Sequence, residues 1–120
     1  MKRPENPPAP VFRQWDVARV RVYDTDRDEH FVVIVSPDEI CAKGRRINVL
    51  YGSTKRPGES LRPCHVLLNG ADGFERQTAV DCTFVHVVPK EKIAAVAGSV
   101  AAPRRREIMR QINAAWRFFQ

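Results

Sequence analysis

The sequence predicts a β-dominated α+β domain: a small, strongly bent antiparallel barrel with a C-terminal amphipathic helix. Three observations carry that prediction. Short β-patterned runs recur between turn signals, the run Phe31-Val32-Val33-Ile34-Val35 is continuously apolar and mostly β-branched, and Ile108, Ile112, Trp116 and Phe119 recur at helical spacing. A chain of 120 residues is long enough for one such core and too short for two.

Residues 1–13 read as a flexible, proline-rich arm, because Pro4, Pro7, Pro8 and Pro10 leave little apolar surface to offset the entropy of ordering it. The domain is then 14–120. From Trp15 to Tyr23, Ala18, Val20 and Val22 alternate with Arg19, Arg21 and Tyr23, the pattern of a strand with a basic, partly aromatic outer face. Residues 24–29 form a charged loop. Phe31 to Val35 reads as a strand buried on both faces, ended by Ser36-Pro37-Asp38. Strands follow at Ile47 to Tyr51 and Cys64 to Leu68, the latter after a long loop.

The turn Asn69-Gly70-Ala71-Asp72-Gly73 precedes Gly73-Phe74-Glu75-Arg76 and a strand read as one run from Thr78 to Val88. Ala95 to Val100 is a further short strand. Pro103 then opens the helix at the position where its missing N–H costs nothing. The helix carries Met109 and Ala115 beside its apolar stripe. Arg104-Arg105-Arg106 places three cations at the positive end of the helix dipole, which calls for compensation.

Composition narrows the function. The longest apolar runs, Phe31 to Val35 and Ile93 to Ala97, fall far short of the roughly 20 residues of a membrane-spanning helix. Met1-Lys2-Arg3 is followed by prolines and not by a signal-peptide apolar stretch, so a cytoplasmic protein is expected. Cys41, Cys64 and Cys82 show no Cys-x-x-Cys spacing and read as reduced thiols. A zinc site assembled from Cys82 and His86 with Cys64-His65 lacks the close paired spacing of such sites, so no metal and no cofactor are expected. The formal charge of +6 tilts the reading toward a polyanionic partner.

Four blocks resemble the PemK/MazF family of toxin endoribonucleases from toxin–antitoxin systems. Trp15-Asp16-Val17 is similar to the Gly-Asp-Val that opens the family's first strand, and Val32-Val33-Ile34-Val35-Ser36-Pro37 to its Val-Val-Val-Val-Ser-Pro segment. Asn48 to Thr54 is similar to the strand that ends in a functional Thr. Gly73-Phe74-Glu75-Arg76 through Pro89-Lys90-Glu91-Lys92-Ile93 is similar to the family's turn, strand and basic turn. The resemblance implies an SH3-like barrel of CcdB/MazF/Kid type, a homodimer, a single-stranded RNA substrate cut without metal, and an antitoxin peptide as partner.

The differences fall on the chemistry. His30-Phe31 stands where family members carry Arg-Pro, residues 24–29 lack Gly-x-Glu-Gln, and Thr83-Phe84 and His86 replace further polar positions. RNA cleavage through the 2′-hydroxyl needs a base, an acid and fixed positive charge. His30, which carries the imidazole most used for general acid–base catalysis, is the candidate for base or acid work. Ser53 and Thr54 are candidates to bind a phosphate oxygen. Arg27, Lys55 and Arg56 are candidates for charge, and Arg19, Arg21 and Tyr23 for a nucleic-acid backbone and a stacked base. By alternation with Val80, Cys82 and Phe84, His86 reads as a core histidine. The competing functions are a MazF-like binding or regulatory protein without cleavage, and a CcdB-like gyrase inhibitor.

Overall fold

A computed structural model of the chain describes residues 11–21, 30–54, 60–62, 64–73 and 77–115. Seven strands and two helices follow in the order β1 (Asp16–Val20), β2 (His30–Ile34), α1 (Asp38–Lys43), β3 (Arg46–Thr54), β4 (His65–Leu68), β5 (Thr78–Asp81), β6 (His86–Pro89), β7 (Ile93–Ser99) and α2 (Ala102–Ala115). All strand pairings among the described residues are antiparallel, and the strand order is β4-β5-β3-β2-β1-β7, with β6 also on β3.

The nine-residue strand β3 organises the sheet. One edge pairs with β2 through Val49, Leu50 and Tyr51. The opposite edge is shared: Arg46 to Val49 pair with β6, and Gly52 to Thr54 pair with β5. The run Thr78 to Val88 is therefore two strands and not one. The Asp81 carboxylate accepts hydrogen bonds from the Thr83 amide at 2.9 Å and the Thr83 hydroxyl at 2.6 Å, a side-chain turn that ends β5.

Both faces of the sheet are buried, as the β-branched run Val32-Val33-Ile34 of β2 requires. Val32 and Ile34 join Ala18, Val20, Ile47, Val49, Val88 and Ile93 on one face. Val33 joins Val17, Leu50, Val80 and Leu68 on the other, where Ile108 of α2 is fully buried. Phe12, from the stretch expected to be a mobile arm, is buried in the first cluster with the Lys90 ammonium 5.6 Å from its ring centre. Residues 1–10 lie outside the described residues, as do Trp116 and Phe119 of the helical stripe. Within the described helix Ile108 is buried, Ile112 half-buried, and Met109 and Ala115 are exposed.

The sheet does not close into a barrel, which corrects the expected architecture. Among the described residues β4 pairs only with β5, and β7 only with β1. Two local features keep these ends apart. β4 has four residues and runs into a capped 3₁₀ turn at Gly70–Asp72, where Asn69 Oδ1 accepts from Ala71 N and Asp72 Oδ2 accepts from Asn69 N. The β1–β7 ladder shifts register twice, between Val17 and Ala18 and between Arg19 and Val20.

The ends meet by packing in place of pairing. Gly73, at φ 95°, lies against Gly98 so closely that a Cβ added to Gly98 would stand 2.7 Å from Gly73 Cα. The buried Asp72 carboxylate also accepts from Ala101 N at 2.8 Å, fixing the start of α2. Two of the three arginines of the run find partners within the chain: Arg105 Nε donates to the Val100 carbonyl at 2.7 Å and its Nη2 to Ser99 Oγ at 3.1 Å, while Arg104 lies 3.9 Å from Glu107.

Candidate active site

The first buried face of the sheet ends in a cluster of rings. His30 precedes Val32 and Ile34 by the two-residue period of β2, Tyr51 follows Ile47 and Val49 on β3, and His86 precedes Val88 on β6, so all three continue the same face outward. Register brings them together, since Val32 pairs with Tyr51 and Val49 with His86. The ring centres of Tyr51 and His86 are 4.1 Å apart, those of His30 and Tyr51 5.7 Å, and those of Phe84 and His86 5.2 Å. Phe84 is 63% exposed, and the rim thus presents two imidazoles, a phenol and an open aromatic face to solvent.

The expected site residues divide. His30 is exposed and belongs to this rim. Ser53 and Thr54 are exposed at the end of β3, with Ser53 in the phase of Tyr51 and Thr54 out of it, paired with the buried Thr78. Arg19 is exposed, but it pairs with Phe31, so it lies on the face opposite His30, which pairs with Val20. Arg21 is exposed just beyond β1. Tyr23, Arg27, Lys55 and Arg56 lie outside the described residues.

Alternation carried unbroken from Val80 predicts His86 as a core residue, and the structure corrects this. The turn at Asp81 to Thr83 resets the phase, and His86 emerges half-buried against Tyr51. An Asp followed two residues later by Thr is the signal that could have revealed this turn. Burial pushes the His86 imidazole below its ordinary value, and the Asp81 carboxylate partly opposes that shift. The ring is consequently neutral at pH 7, the form able to accept a proton.

Asp81 sits at the edge of the rim on β5. Burial alone would raise its carboxyl, but the Thr83 hydroxyl and amide outweigh it and, with the His65 imidazole and the Cys64 thiol, hold it below the usual carboxylate value. A folded value below the unfolded one means that its stabilising contribution is complete above the ordinary carboxylate range and is lost as pH falls through the folded value. Thr83→Val, which removes the hydroxyl donor, is therefore expected to move the acid-unfolding midpoint to higher pH, read by circular dichroism against the wild type. Cys82, beside it, points into the second core cluster, and burial pushes its thiol up to about 12, so it is inert at neutral pH.

A second polar group forms behind Asp81. Cys64, His65 and Asp81 are each half-buried and offer ligand-type atoms within 4.8 Å of one another. Beside them a cavity of about 370 Å³ is lined by His65, Val66, Glu107, Arg110 and Gln111.

Solved structures with the same fold span nearly the whole chain. An endoribonuclease from a mycobacterial species is similar at 15% identity over 88% of this chain and 91% of that one, with a TM-score of 0.71. A mycobacterial endoribonuclease in complex with its cognate antitoxin is similar at 14% identity over 92% and 97%, also at 0.71. A MazE–MazF structure from Deinococcus radiodurans is similar at 11% identity over 87% and 93%, at 0.69. At these identities the likeness establishes the fold. No curated protein sequence is similar to the chain at a significant level. A family profile, however, matches residues 13–116, nearly the entire domain, and by that match the chain belongs to the PemK-like, MazF-like toxins of type II toxin–antitoxin systems.

Proposed function

We propose that this toxin acts as an endoribonuclease on single-stranded RNA, with His30 and His86 exchanging protons at the scissile phosphate. The observation that carries the reading is the placement of both imidazoles against Tyr51 on one accessible rim of a toxin-family fold. Neutral His86 takes the proton of the 2′-hydroxyl, which attacks the adjacent phosphorus. The P–O5′ bond breaks, and His30 delivers a proton to the leaving oxygen. The products are a 2′,3′-cyclic phosphate and a 5′-hydroxyl, with no metal required for the balance.

The Ser53 hydroxyl, in the phase of Tyr51, holds a non-bridging phosphate oxygen, whereas Thr54, out of that phase, stands apart from the reacting phosphate. Arg27, Lys55 and Arg56 supply positive charge for the phosphorane-like transition state, while Arg21, in the phase of Arg19, binds the nucleic-acid backbone. Tyr51 and Phe84 provide faces on which unstacked bases rest, an interaction worth about 1–3 kcal/mol per base. Arg19, on the other face, belongs to backbone tracking and not to the reaction.

The toxin assignment carries an antitoxin partner with it, and the mycobacterial relative in complex with its cognate antitoxin supports the same for this chain. An acidic antitoxin segment that folds on binding, a homodimeric toxin and a cytoplasmic setting complete the reading. Among the described residues no helix is long and apolar enough to cross a membrane.

His30→Ala is the direct test. Cleavage of single-stranded RNA is expected to fall by about 10²-fold or more, in the range of a lost proton-transfer group, with the circular dichroism spectrum unchanged. Unchanged cleavage by a folded variant removes His30 from the chemistry.

A further inference from the structure

We propose that Cys64, His65 and Asp81 form a binding site for a zinc-class divalent cation. The inference is independent of the cleavage reading, because none of the three serves in it.

The backbone builds the cluster. His65 stands directly opposite Asp81 in the β4–β5 ladder, and the carbonyl of Cys64 accepts from Cys82 N at 3.2 Å, which carries the strand pairing one residue further. Side chains of directly opposed residues share a face with Cβ atoms about 5 Å apart, so imidazole and carboxylate converge without any loop having to fold over them. The Cys64 thiol reaches the same carboxylate. All three ligand-type atoms lie within 4.8 Å of one another.

The donor set suits the ion. Thiolate, imidazole and carboxylate bind zinc at about 2.0–2.3 Å, which puts ligand atoms of a tetrahedral site about 3.3–3.8 Å apart. Closing the cluster from its present spacing takes side-chain rotations of about 1 Å, available to half-buried groups. Three protein ligands leave a fourth position for water.

The surroundings prepare the ligands. Thr83 N and Oγ1 both donate to Asp81 Oδ1, orienting the carboxylate as outer partners of metal ligands do. The Arg62 amide donates to His65 Nδ1 at 3.2 Å, which orients the ring within the cluster. Cys64 is a free, half-buried thiol, unlike the fully buried Cys82. Binding replaces its S–H by an S–metal bond and releases one proton to solvent.

The test titrates the full-length, reduced protein with Co²⁺ as a spectroscopic stand-in, followed by displacement with Zn²⁺. One equivalent is expected to bind with a thiolate-to-cobalt charge-transfer band and release of one proton, and Zn²⁺ is expected to abolish the band. Cys64→Ser, nearly isosteric, should lose the band while remaining folded. His65→Gln and Asp81→Asn should each weaken binding by at least about tenfold. Absence of the band in the wild type overturns the proposal, as does a band that survives Cys64→Ser or an affinity indifferent to both other variants.

Discussion

His86→Ala is expected to reduce RNA cleavage by about two to four orders of magnitude while leaving the fold intact, because it removes the group proposed to accept the 2′-hydroxyl proton. The side chain is half-buried and its ring contacts are at the rim, so truncation opens no cavity in either core cluster. The pH profile carries a further signature. Burial lowers the His86 value, so the acid limb of kcat/KM is expected below the ordinary imidazole value of about 6.5. His86→Gln, which keeps a polar side chain without the base, should lose that limb together with the rate. A wild-type profile with its acid limb above the ordinary value would assign the base elsewhere.

Gly98→Val is expected to be the most destabilising substitution at the seam between the sheet ends. Even a bare Cβ there meets Gly73 Cα at 2.7 Å and the Asp72 carbonyl oxygen at 3.1 Å, and both are backbone atoms that no rotamer change can move aside. Overpacking of this kind costs about 1–3 kcal/mol, and valine's two further methyls put it at the upper end. Gly73→Ala should act in the same direction by a different route, since its φ of 95° disfavours any side chain by about 1–3 kcal/mol. Urea midpoints of both variants against the wild type measure these losses. If the seam were instead a paired β-ladder, Gly98→Val would be nearly neutral, because valine favours strands.

What could be read in the sequence follows from how local the determining forces are. The β-branched run at Phe31 to Val35 announces a strand buried on both faces, and Val32, Val33 and Ile34 divide between the two core clusters as that pattern demands. The helix after Pro103 was equally visible from its apolar stripe. Helix α1 was not, because six residues are too few to show a period, although Pro37 followed by Asp38 and Glu39 is a helix-start signal. The expected barrel fails to close for a non-local reason: whether β4 and β7 pair depends on the 3₁₀ turn after Leu68 and on the register shifts of β7, neither of which periodicity reports.

Trp15 illustrates how structure explains a sequence difference. It occupies the place of the family's Gly in Gly-Asp-Val, and its φ is 74°, the left-handed region that glycine enters freely. Its amide donates to Ile34 O at 2.7 Å and its carbonyl accepts from Val100 N at 2.8 Å, bonds that hold the conformation in place. The candidate site was half legible. His30 could be chosen because it stands at a strand start where the resemblance puts reactive charge, whereas Tyr51 and His86 join it only through the pairing of β3 with both β2 and β6.

Cleavage by side chains alone is checked by identifying the products. Purified protein is incubated at low salt with single-stranded RNAs of varied sequence in the presence of a chelator, and the new ends are identified. Fragments carrying a 2′,3′-cyclic phosphate and a 5′-hydroxyl are expected. Intact RNA across all sequences, or fragments carrying a 5′-phosphate, would contradict it.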